Sequence, residues 1–426
     1  MPQEDHPKPS FAITTLGCKV NQYDGEAIRE SLLRAGCEER TPAGQPDFVI
    51  INTCTVTGAA DAKARRLIRR FARRLPEAKI VVTGCMVDRD ADQLAALPRV
   101  WKLVDNKHKP DIADIIGLGE PRPHGHAGIS DFAGHTRAFV KVQDGCDAWC
   151  AYCIVPAVRG APTSRPIDEV LAEVNRLAVR FREIVLTGIH VGLYRDASGA
   201  DLASLVHAVL DASPVERIRL SSIEPNEVTP DLLAVAAGSP RFCPHFHVPL
   251  QSGSDHVLGL MNRRYTAAEY VRAVDHIRGR LERPAITTDV IVGFPGETDE
   301  DFAQTVGVCR KAGFSRTHIF PYSDRPGTVA AGMPDKCPSR AISAREKMLE
   351  TLASELALEY KMQFVGRAVG VLAETSRDRS GKLCGYTGRY LRTLFDGPDD
   401  LAGRIVPVRI ARAEHDALFG ELEENA

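Results

Sequence analysis

Three cysteines stand close together before the middle of the chain, Cys146, Cys150 and Cys153, with the spacing C-x3-C-x2-C. The apolar run before them, residues 138–142, predicts a β-strand, so one loop at the end of a strand carries all three thiols. A complete [4Fe–4S] cluster takes four thiolates, and three in one loop therefore indicate a cluster with one iron left for another ligand. Zinc is the chemical alternative, because Cys3His sites occur, but no histidine follows Cys153 closely.

The first hundred residues alternate short apolar runs with helical patterns, which is typical of a parallel α/β sheet. The predicted strands are residues 11–18, 47–54 and 78–85. Each ends on a cysteine, namely Cys18, Cys54 and Cys85. Ligands bind at the edge where the carboxyl ends of parallel strands gather, so we expect these three cysteines to converge. The alternative is that each is a buried small hydrophobic residue, the usual role of a lone free cysteine.

Helical and strand patterns alternate again from residue 168 to residue 323, in about six β/α units, which predicts a partial (β/α)6 barrel rather than a full barrel of eight. The active site of such a barrel lies at the carboxyl ends of its strands. We therefore expect a cofactor to be bound by polar and glycine residues at those ends. The predicted residues are Thr187, Gly188, Ser222, Glu224, Gln251 and Ser252. Ordinary turn chemistry is the alternative for the glycine-containing clusters.

Whole-chain properties narrow the choice of partners. The net charge of the 426 residues is −2, so a nucleic acid would have to be met by a local basic patch. Residues 63–74 form such a basic patch, and Arg66, Arg70 and Arg73 share a face of the predicted helix. That face either contacts phosphates or is simply solvated.

No apolar run is long enough to cross a membrane and no export signal is visible, so we expect a cytoplasmic protein. Its eleven cysteines are then not expected to be paired in disulfides.

The loop at Cys146, Cys150 and Cys153 resembles that of the radical S-adenosylmethionine (radical SAM) superfamily, with Tyr152 as the aromatic residue before the last cysteine. The resemblance implies a [4Fe–4S] cluster whose open iron binds the amino and carboxylate groups of SAM. It also implies cleavage of SAM to a 5′-deoxyadenosyl radical that abstracts hydrogen from a substrate carbon. Tyr152 joins the predicted SAM contacts. Residues 159–165 depart from the usual family pattern, which leaves open which arginine approaches SAM.

Both cysteine sets together resemble the methylthiotransferases, in segments 15–18, 52–54 and 83–85. This resemblance implies that Cys18, Cys54 and Cys85 bind a second, auxiliary [4Fe–4S] cluster that holds the sulfur to be transferred. One SAM then methylates that sulfur and a second SAM generates the radical. We expect no catalytic residues beyond the cluster ligands.

Three further segments, residues 15–24, 187–192 and 242–254, resemble the subgroup that acts on N6-threonylcarbamoyladenosine next to the tRNA anticodon. The implied product is 2-methylthio-N6-threonylcarbamoyladenosine. Related enzymes act on isopentenyl-adenosine in tRNA or on an aspartate of a ribosomal protein, and these are the alternatives within the class. A non-catalytic iron–sulfur scaffold or electron carrier is the alternative of another class.

The last sixty residues read as short strands of alternating hydrophobicity at 368–375, 384–395 and 404–413, which suit a small β-barrel. The segment resembles the RNA-binding TRAM domain. Tyr386, Tyr390 and Arg392 have the same strand parity and are expected to stack on RNA bases and bind phosphate. A structural barrel packed on the catalytic core is the alternative.

The predicted class is thus α/β, with three domains. They are an N-terminal parallel α/β domain at 1–125, a partial radical SAM barrel at 132–363 and a TRAM-like β-barrel at 364–426. The expected partners are tRNA, an electron donor and a sulfur source. No membrane partner is expected, and the protein is predicted to be monomeric.

Overall fold

The protein is described by a computed structural model that covers residues 8–119 and 128–423. The chain divides into two compact units. The N-terminal unit contains the described residues up to Ala133 together with residues 144–147 and 153–162. The C-terminal unit contains residues 134–143, 148–152 and the chain from Thr163 onward. The predicted α/β class is confirmed, and the two units are described in turn.

The N-terminal unit is built on a five-stranded parallel sheet with the strand order β2-β1-β3-β4-β5. Its strands are β1 (Ser10–Thr15), β2 (Glu38–Glu39), β3 (Phe48–Thr53), β4 (Lys79–Gly84) and β5 (Val100–Val104). Its helices are α1 (Lys19–Arg34), α2 (Gly58–Arg74), α3 (Cys85–Ala95), α4 (Ile112–Ile115) and α5 (Val155–Arg159). The first three predicted strands are therefore present.

Side chains of alternating strand residues bury the two faces of this sheet, as the period of two along a strand requires. On one face, Ile51 and Val82 pack with Leu67, Ile68 and Phe71 of α2. The other face packs against α1 and α4, through a second cluster that includes Phe11, Ile28, Leu32, Ile50, Val81 and Ile112. Each fully buried side chain of this size stabilises the fold by about 1.5–3 kcal/mol. The sheet is thus a rigid base for the loops at its carboxyl edge.

The C-terminal unit contains six parallel strands that follow one another in space as they do in sequence. They are β6 (Ala138–Lys141), β9 (Glu183–Thr187), β10 (Arg217–Leu220), β11 (His245–His247), β12 (Ala285–Val292) and β13 (Arg316–Pro321). They form two three-stranded sheets, and parallel bridges beside β10 and β11 join the two. The result is the predicted partial barrel. Two-residue strands β7 (Gln143–Asp144) and β8 (Thr163–Ser164) flank the cysteine loop in the sequence.

Helices connect these strands, as expected for β/α units. They are α6 (Ile167–Ala178), α7 (Leu202–Ala212), α8 (Pro230–Gly238), α9 (Asp255–Leu260), α10 (Ala267–Arg280) and α11 (Asp299–Ala312), and the longer α12 (Ser339–Met362) follows β13. Several begin at side-chain caps; Thr266 and Thr298, for example, open α10 and α11 with reciprocal capping boxes. In the part of the chain that the structure describes, no helix has both the length and the apolar character that a membrane crossing requires.

A small closed β-barrel ends the C-terminal unit, with the order β14-β15-β16-β18-β17. Its strands are β14 (Ala368–Arg377), β15 (Leu383–Thr387), β16 (Arg392–Phe395), β17 (Ile405–Ala413) and β18 (Leu418–Leu422). The prediction of one strand over residues 384–395 is wrong. The chain turns at Tyr390, whose φ is +57°, and the Thr387 hydroxyl accepts backbone N–H groups of the turn. The sequence pattern also missed β18, which closes the barrel between β16 and β17.

Candidate functional site

The three N-terminal cysteines Cys18, Cys54 and Cys85 follow three adjacent strands of the N-terminal sheet. We call them the strand-end cysteines. The structure brings them together at the carboxyl edge, close enough for the Cys18 and Cys85 thiols to act on the pKa of Cys54. Burial, with smaller contributions from these two thiols, raises the pKa of Cys54 to about 11. Cys18 is exposed, whereas Cys54 and Cys85 are buried. The predicted strands were slightly too long, because β1, β3 and β4 end at Thr15, Thr53 and Gly84.

Two glycines make this convergence possible. Gly17 has a φ of +107°, and a Cβ there would lie only 2.6 Å from the Cβ of Cys54. Gly84 has a φ of +97°, and a Cβ there would overlap the carbonyl oxygen of Thr53. Only glycine fits at either position, because the positive φ and the close neighbouring atoms both exclude a Cβ. The glycine before Cys18 and the one before Cys85 therefore let the strand ends approach each other.

Two buried asparagines form hydrogen bonds at the same strand ends. The side-chain amide of Asn21 donates to the carbonyl oxygens of Leu16 and Thr53, each at 2.7 Å. The amide of Asn52 donates in turn to the backbone oxygen of Asn21, at 2.8 Å. These bonds fix the loops that carry Cys18 and Cys54, because hydrogen bonds between buried polar groups favour a single geometry. Asn52 belongs to the segment 52–54 that carries the family resemblance, and Asn21 lies three residues after Cys18, but the sequence alone assigned no role to either asparagine.

A buried arginine lies beside the strand-end cysteines. Nε of Arg159 approaches Sγ of Cys85 at 3.3 Å, and its Nη2 donates to Asn21 Oδ1 at 2.7 Å and lies 3.1 Å from Asp24 Oδ2. Its Nη1 pairs with Asp144 at 2.9 Å. The guanidinium is thus placed to donate a hydrogen bond to the Cys85 sulfur. Arg159, one of the arginines left open above, is therefore directed to the strand-end cysteines.

The other three cysteines, Cys146, Cys150 and Cys153, lie in one loop and are called the loop cysteines. All three are partly exposed. In the N-terminal unit, the backbone N–H of Cys146 donates to Gly160 O at 3.0 Å and the N–H of Val155 donates to Cys153 Sγ at 3.4 Å. Cys150 belongs to the C-terminal unit. The loop keeps its thiols accessible while its backbone is held by hydrogen bonds.

A second buried arginine lies beside Cys150. Nη1 of Arg263 donates to Cys150 Sγ at 3.3 Å and lies 3.4 Å from the hydroxyl of Tyr152. Its Nη2 forms an ion pair with Glu224, and its Nε donates to the hydroxyl of Tyr265 at 3.1 Å. Burial raises the pKa of Glu224, while Arg263 opposes that rise. Sequence reasoning missed Arg263, because nothing in the sequence distinguishes it from the adjacent Arg264.

Comparison with known protein families finds two matching segments. Residues 140–309 match the model of the radical SAM superfamily. Residues 10–104, which carry the strand-end cysteines, match a family described as Uncharacterized protein family UPF0004. The two matched segments contain one cysteine set each.

Full-length relatives carry both segments. The threonylcarbamoyladenosine tRNA methylthiotransferase MtaB of Chlamydia pneumoniae is 38% identical over 97% of this chain and 98% of its own. The enzyme of the same name from Bacillus subtilis is 36% identical over 95% and 94%. A tRNA-2-methylthio-N(6)-dimethylallyladenosine synthase of Maricaulis maris is 35% identical over 96% of each chain.

The chain belongs to the radical SAM methylthiotransferase family. Members are SAM-dependent transferases that use SAM and [4Fe–4S] clusters. Among solved structures, the radical SAM methyltransferase TsrM of Kitasatospora setae has a similar fold, with a TM-score of 0.55 and 15% identity over 76% of this chain and 74% of that one. The donor chemistry of this methylthiotransferase fits two such clusters, since it offers two sets of three thiols, each with a buried guanidinium beside one sulfur.

The predicted SAM residues of the methylthiotransferase lie where the barrel strands end. Thr187 closes β9, Ser222 and Glu224 follow β10, and Gln251 follows β11. Gln251 has a φ of +61°, a strained conformation for a residue other than glycine and one that clusters at functional sites. Ser222 is exposed and Glu224 is partly exposed, so both can meet a ligand.

The remaining predicted SAM residues are engaged within the protein. Ser252 is fully buried, with its hydroxyl 3.3 Å from that of Thr305. Gly188 packs so closely on Gln143 that a Cβ would lie 2.8 Å from its side-chain oxygen. The ring of Tyr152 packs edge-on against Phe294. Gly188 and Ser252 thus pack inside the protein and support the ends of the barrel strands.

The predicted RNA-binding residues do not form one face, because Tyr390 lies in a turn rather than on a strand. Tyr386 and Arg392 are paired across β15 and β16. The Tyr390 ring lies under the guanidinium of Arg219, 3.5 Å from it, and packs edge-on against His245. Arg219 is fully buried and ion-paired with Glu183 at 3.0 Å. Tyr390 therefore packs the small barrel against the catalytic strands, which favours the structural alternative for this ring.

The basic segment of the methylthiotransferase is helix α2, which begins at the side-chain cap Thr57. Arg65 pairs with Asp90 at 3.3 Å. The other cations are exposed, namely Lys63, Arg66, Arg69, Arg70, Arg73 and Arg74. Among the described residues, no acidic side chain forms an ion pair with Arg66 or Arg73. The face is therefore free to meet phosphates.

Proposed function

We propose that this chain is the methylthiotransferase that converts N6-threonylcarbamoyladenosine next to the tRNA anticodon into its 2-methylthio derivative. The observation that carries this substrate is the set of relatives named for it, which match at 36–38% identity over at least 95% of this chain. Relatives named for dimethylallyladenosine match at 33–35%.

The proposal assigns each cysteine set to one cluster. Cys146, Cys150 and Cys153 hold the radical SAM cluster, and Cys18, Cys54 and Cys85 hold the auxiliary cluster. When bound, the first supplies the electron that cleaves SAM and the second holds the sulfur that is transferred. The support is the convergence of the strand-end cysteines at one sheet edge and the presence of three accessible thiols in one loop.

The remaining residues act around these ligands. Arg159 and Arg263 each compensate the negative charge of a thiolate by donating a hydrogen bond to sulfur. Ser222, Glu224 and Gln251 contact SAM at the strand ends, with Tyr152 and Thr187 beside them. Gly188 and Ser252 support that edge by packing behind it.

The partner is tRNA, held by the exposed arginines of α2 and by Arg392 of the small barrel. Arg392 is partly exposed and lies 3.4 Å from Asp416. An electron donor and a sulfur source complete the reaction. The proposal also includes a monomeric protein in the cytoplasm, where tRNA is modified.

Nucleoside analysis of tRNA tests the substrate. A strain lacking the gene, and any second gene of the same activity, should lack 2-methylthio-N6-threonylcarbamoyladenosine and regain it with the wild-type gene. The purified enzyme should modify tRNA that carries threonylcarbamoyladenosine but not tRNA that carries isopentenyl-adenosine. Persistence of the modified nucleoside in the deletion strain, or product on the isopentenyl tRNA alone, would overturn the assignment.

A further inference from the structure

Two histidines and an aspartate meet on one face of the second barrel sheet, away from the cysteine motifs in the sequence. His247, Asp289 and His318 come from the adjacent parallel strands β11, β12 and β13. Asp289 is the direct cross-strand partner of His318, and His247 is the partner of Thr287, two residues before Asp289 on the same face. One ligand atom of each of the three side chains lies within 4.8 Å of the other two.

The distance between His247 and Asp289 in this cluster suits a shared metal ion. Nε2 of His247 lies 3.2 Å from Oδ2 of Asp289. In a tetrahedral site with metal–ligand bonds of about 2.0–2.1 Å, two ligand atoms lie about 3.3–3.4 Å apart. The two atoms are thus separated as they would be if both bound one ion.

The orientation of His247 also resembles that of a metal ligand. Its Nδ1 lies 2.9 Å from the hydroxyl of Thr287, which leaves Nε2 directed at Asp289. A hydrogen bond to the other ring nitrogen is the usual way in which proteins orient a histidine ligand. The His247 and Asp289 side chains are 14% and 27% exposed, so an ion can reach them from solvent.

We propose that His247, Asp289 and His318 form a binding site for one divalent transition-metal ion, in addition to the two clusters. Two imidazoles and one carboxylate are ligands that suit Zn²⁺ and Fe²⁺. Three protein ligands leave at least one coordination position open, and its ligand is an oxygen donor such as water or a carboxylate. The site does not depend on which nucleoside the enzyme modifies.

Zinc binding to the holoenzyme tests the site. Anaerobically reconstituted enzyme, with both clusters present so that the six cysteines are occupied, is freed of loosely bound ions and dialysed against Zn²⁺. Zinc, iron and sulfide are then measured per chain. The wild type should bind about one zinc ion, and Asp289→Asn and His318→Gln should each weaken zinc binding by more than about tenfold with unchanged iron and sulfide. Thr287→Val should weaken it by about 10–100-fold, as expected for a residue that orients a ligand.

A matched pair elsewhere provides the control. His256 and Asp301 lie at the same 3.2 Å, but His256 is mostly exposed and, among the described residues, no second histidine joins this pair. His256→Gln should keep the full zinc content. If the wild-type holoenzyme binds no zinc, or if Asp289→Asn and His318→Gln bind as much as the wild type, the three residues are a hydrogen-bonded cluster only and the proposal fails. Unchanged cluster iron in the variants shows that they are folded.

Discussion

The strand-end cysteines and the loop cysteines carry the same number of thiols but are positioned by different means. Cys146, Cys150 and Cys153 are gathered by their spacing, because one short loop contains them all. Cys18, Cys54 and Cys85 are gathered by the sheet, through the parallel order of β1, β3 and β4. The first set depends on local sequence, whereas the second depends on the fold of the whole N-terminal unit. Changes in the N-terminal sheet, outside the segments that carry the loop cysteines, should therefore affect sulfur transfer without affecting SAM cleavage.

The largest expected effect separates the two sets directly. Cys54→Ala removes one proposed ligand of the auxiliary cluster but leaves the loop cysteines intact. Methylthio transfer should fall to background, while 5′-deoxyadenosine is still formed from SAM. The matched variant Cys150→Ala should abolish both. Product formation and 5′-deoxyadenosine are measured by chromatography after anaerobic reconstitution. Normal methylthio transfer by Cys54→Ala would mean that the strand-end cysteines are structural.

The next prediction concerns the fold that gathers the strand-end cysteines. In Gly84→Ala the new methyl group would overlap the carbonyl of Thr53 in a backbone conformation almost reserved for glycine. We expect a loss of about 3 kcal/mol or more in stability of the N-terminal unit, from strain and overlap together. Thermal unfolding and iron content measure it, and iron should fall to about half as only the loop cluster remains.

Gly36→Ala is the control for backbone strain alone. Gly36 also has a positive φ, of +84°, but apart from its two chain neighbours no described residue lies within 4 Å of the position of a Cβ. Its cost should be only about 1–2 kcal/mol, with full iron content. Equal effects of the two substitutions would show that the close approach of the strands at Gly84 is not required.

The two buried arginines offer a smaller and symmetrical test. Each donates to the sulfur of one cysteine, so Arg263→Met should reduce SAM cleavage and Arg159→Met should reduce methylthio transfer alone, each by about 10–100-fold. The electron paramagnetic resonance spectrum of the reduced loop cluster should change only in Arg263→Met. Lysine at either position should restore part of the activity, because it returns the charge but not the planar geometry. Loss of SAM cleavage in Arg159→Met would contradict the separation of roles.

The same contrast explains what could be predicted from the sequence. The six cysteines and the β/α alternation were visible, because short spacings and strand periodicity are local properties. Arg263 and the meeting of His247, Asp289 and His318 were not, because only the pairing of strands and helices brings distant residues together. Tyr390 was predicted to lie on a strand for a related reason. Its alternation fitted a continuous strand, and the turn at residues 388–391 is stabilised by the Thr387 hydroxyl rather than by a strong turn sequence.

The smallest expected effect concerns tRNA binding and compares exposed arginines of the N-terminal unit with two buried arginines of the C-terminal unit. Arg66 and Arg73 on α2 are exposed, whereas Arg219 and Arg137 are committed to Glu183. Each phosphate contact contributes about 0.7–0.9 to the slope of log affinity against log salt. Replacing Arg66 and Arg73 together by alanine should therefore reduce the magnitude of the slope for tRNA binding by about 1.4–1.8, and should weaken binding at low salt for all tRNAs alike. Arg272→Ala is the control, since this arginine is also exposed but lies 3.8 Å from Glu269. Filter binding over a series of salt concentrations measures both.

An unchanged slope in the double variant would mean that α2 is a solvated surface and that tRNA is held elsewhere. SAM cleavage should be unaffected in either case, because the two substitutions change no loop cysteine.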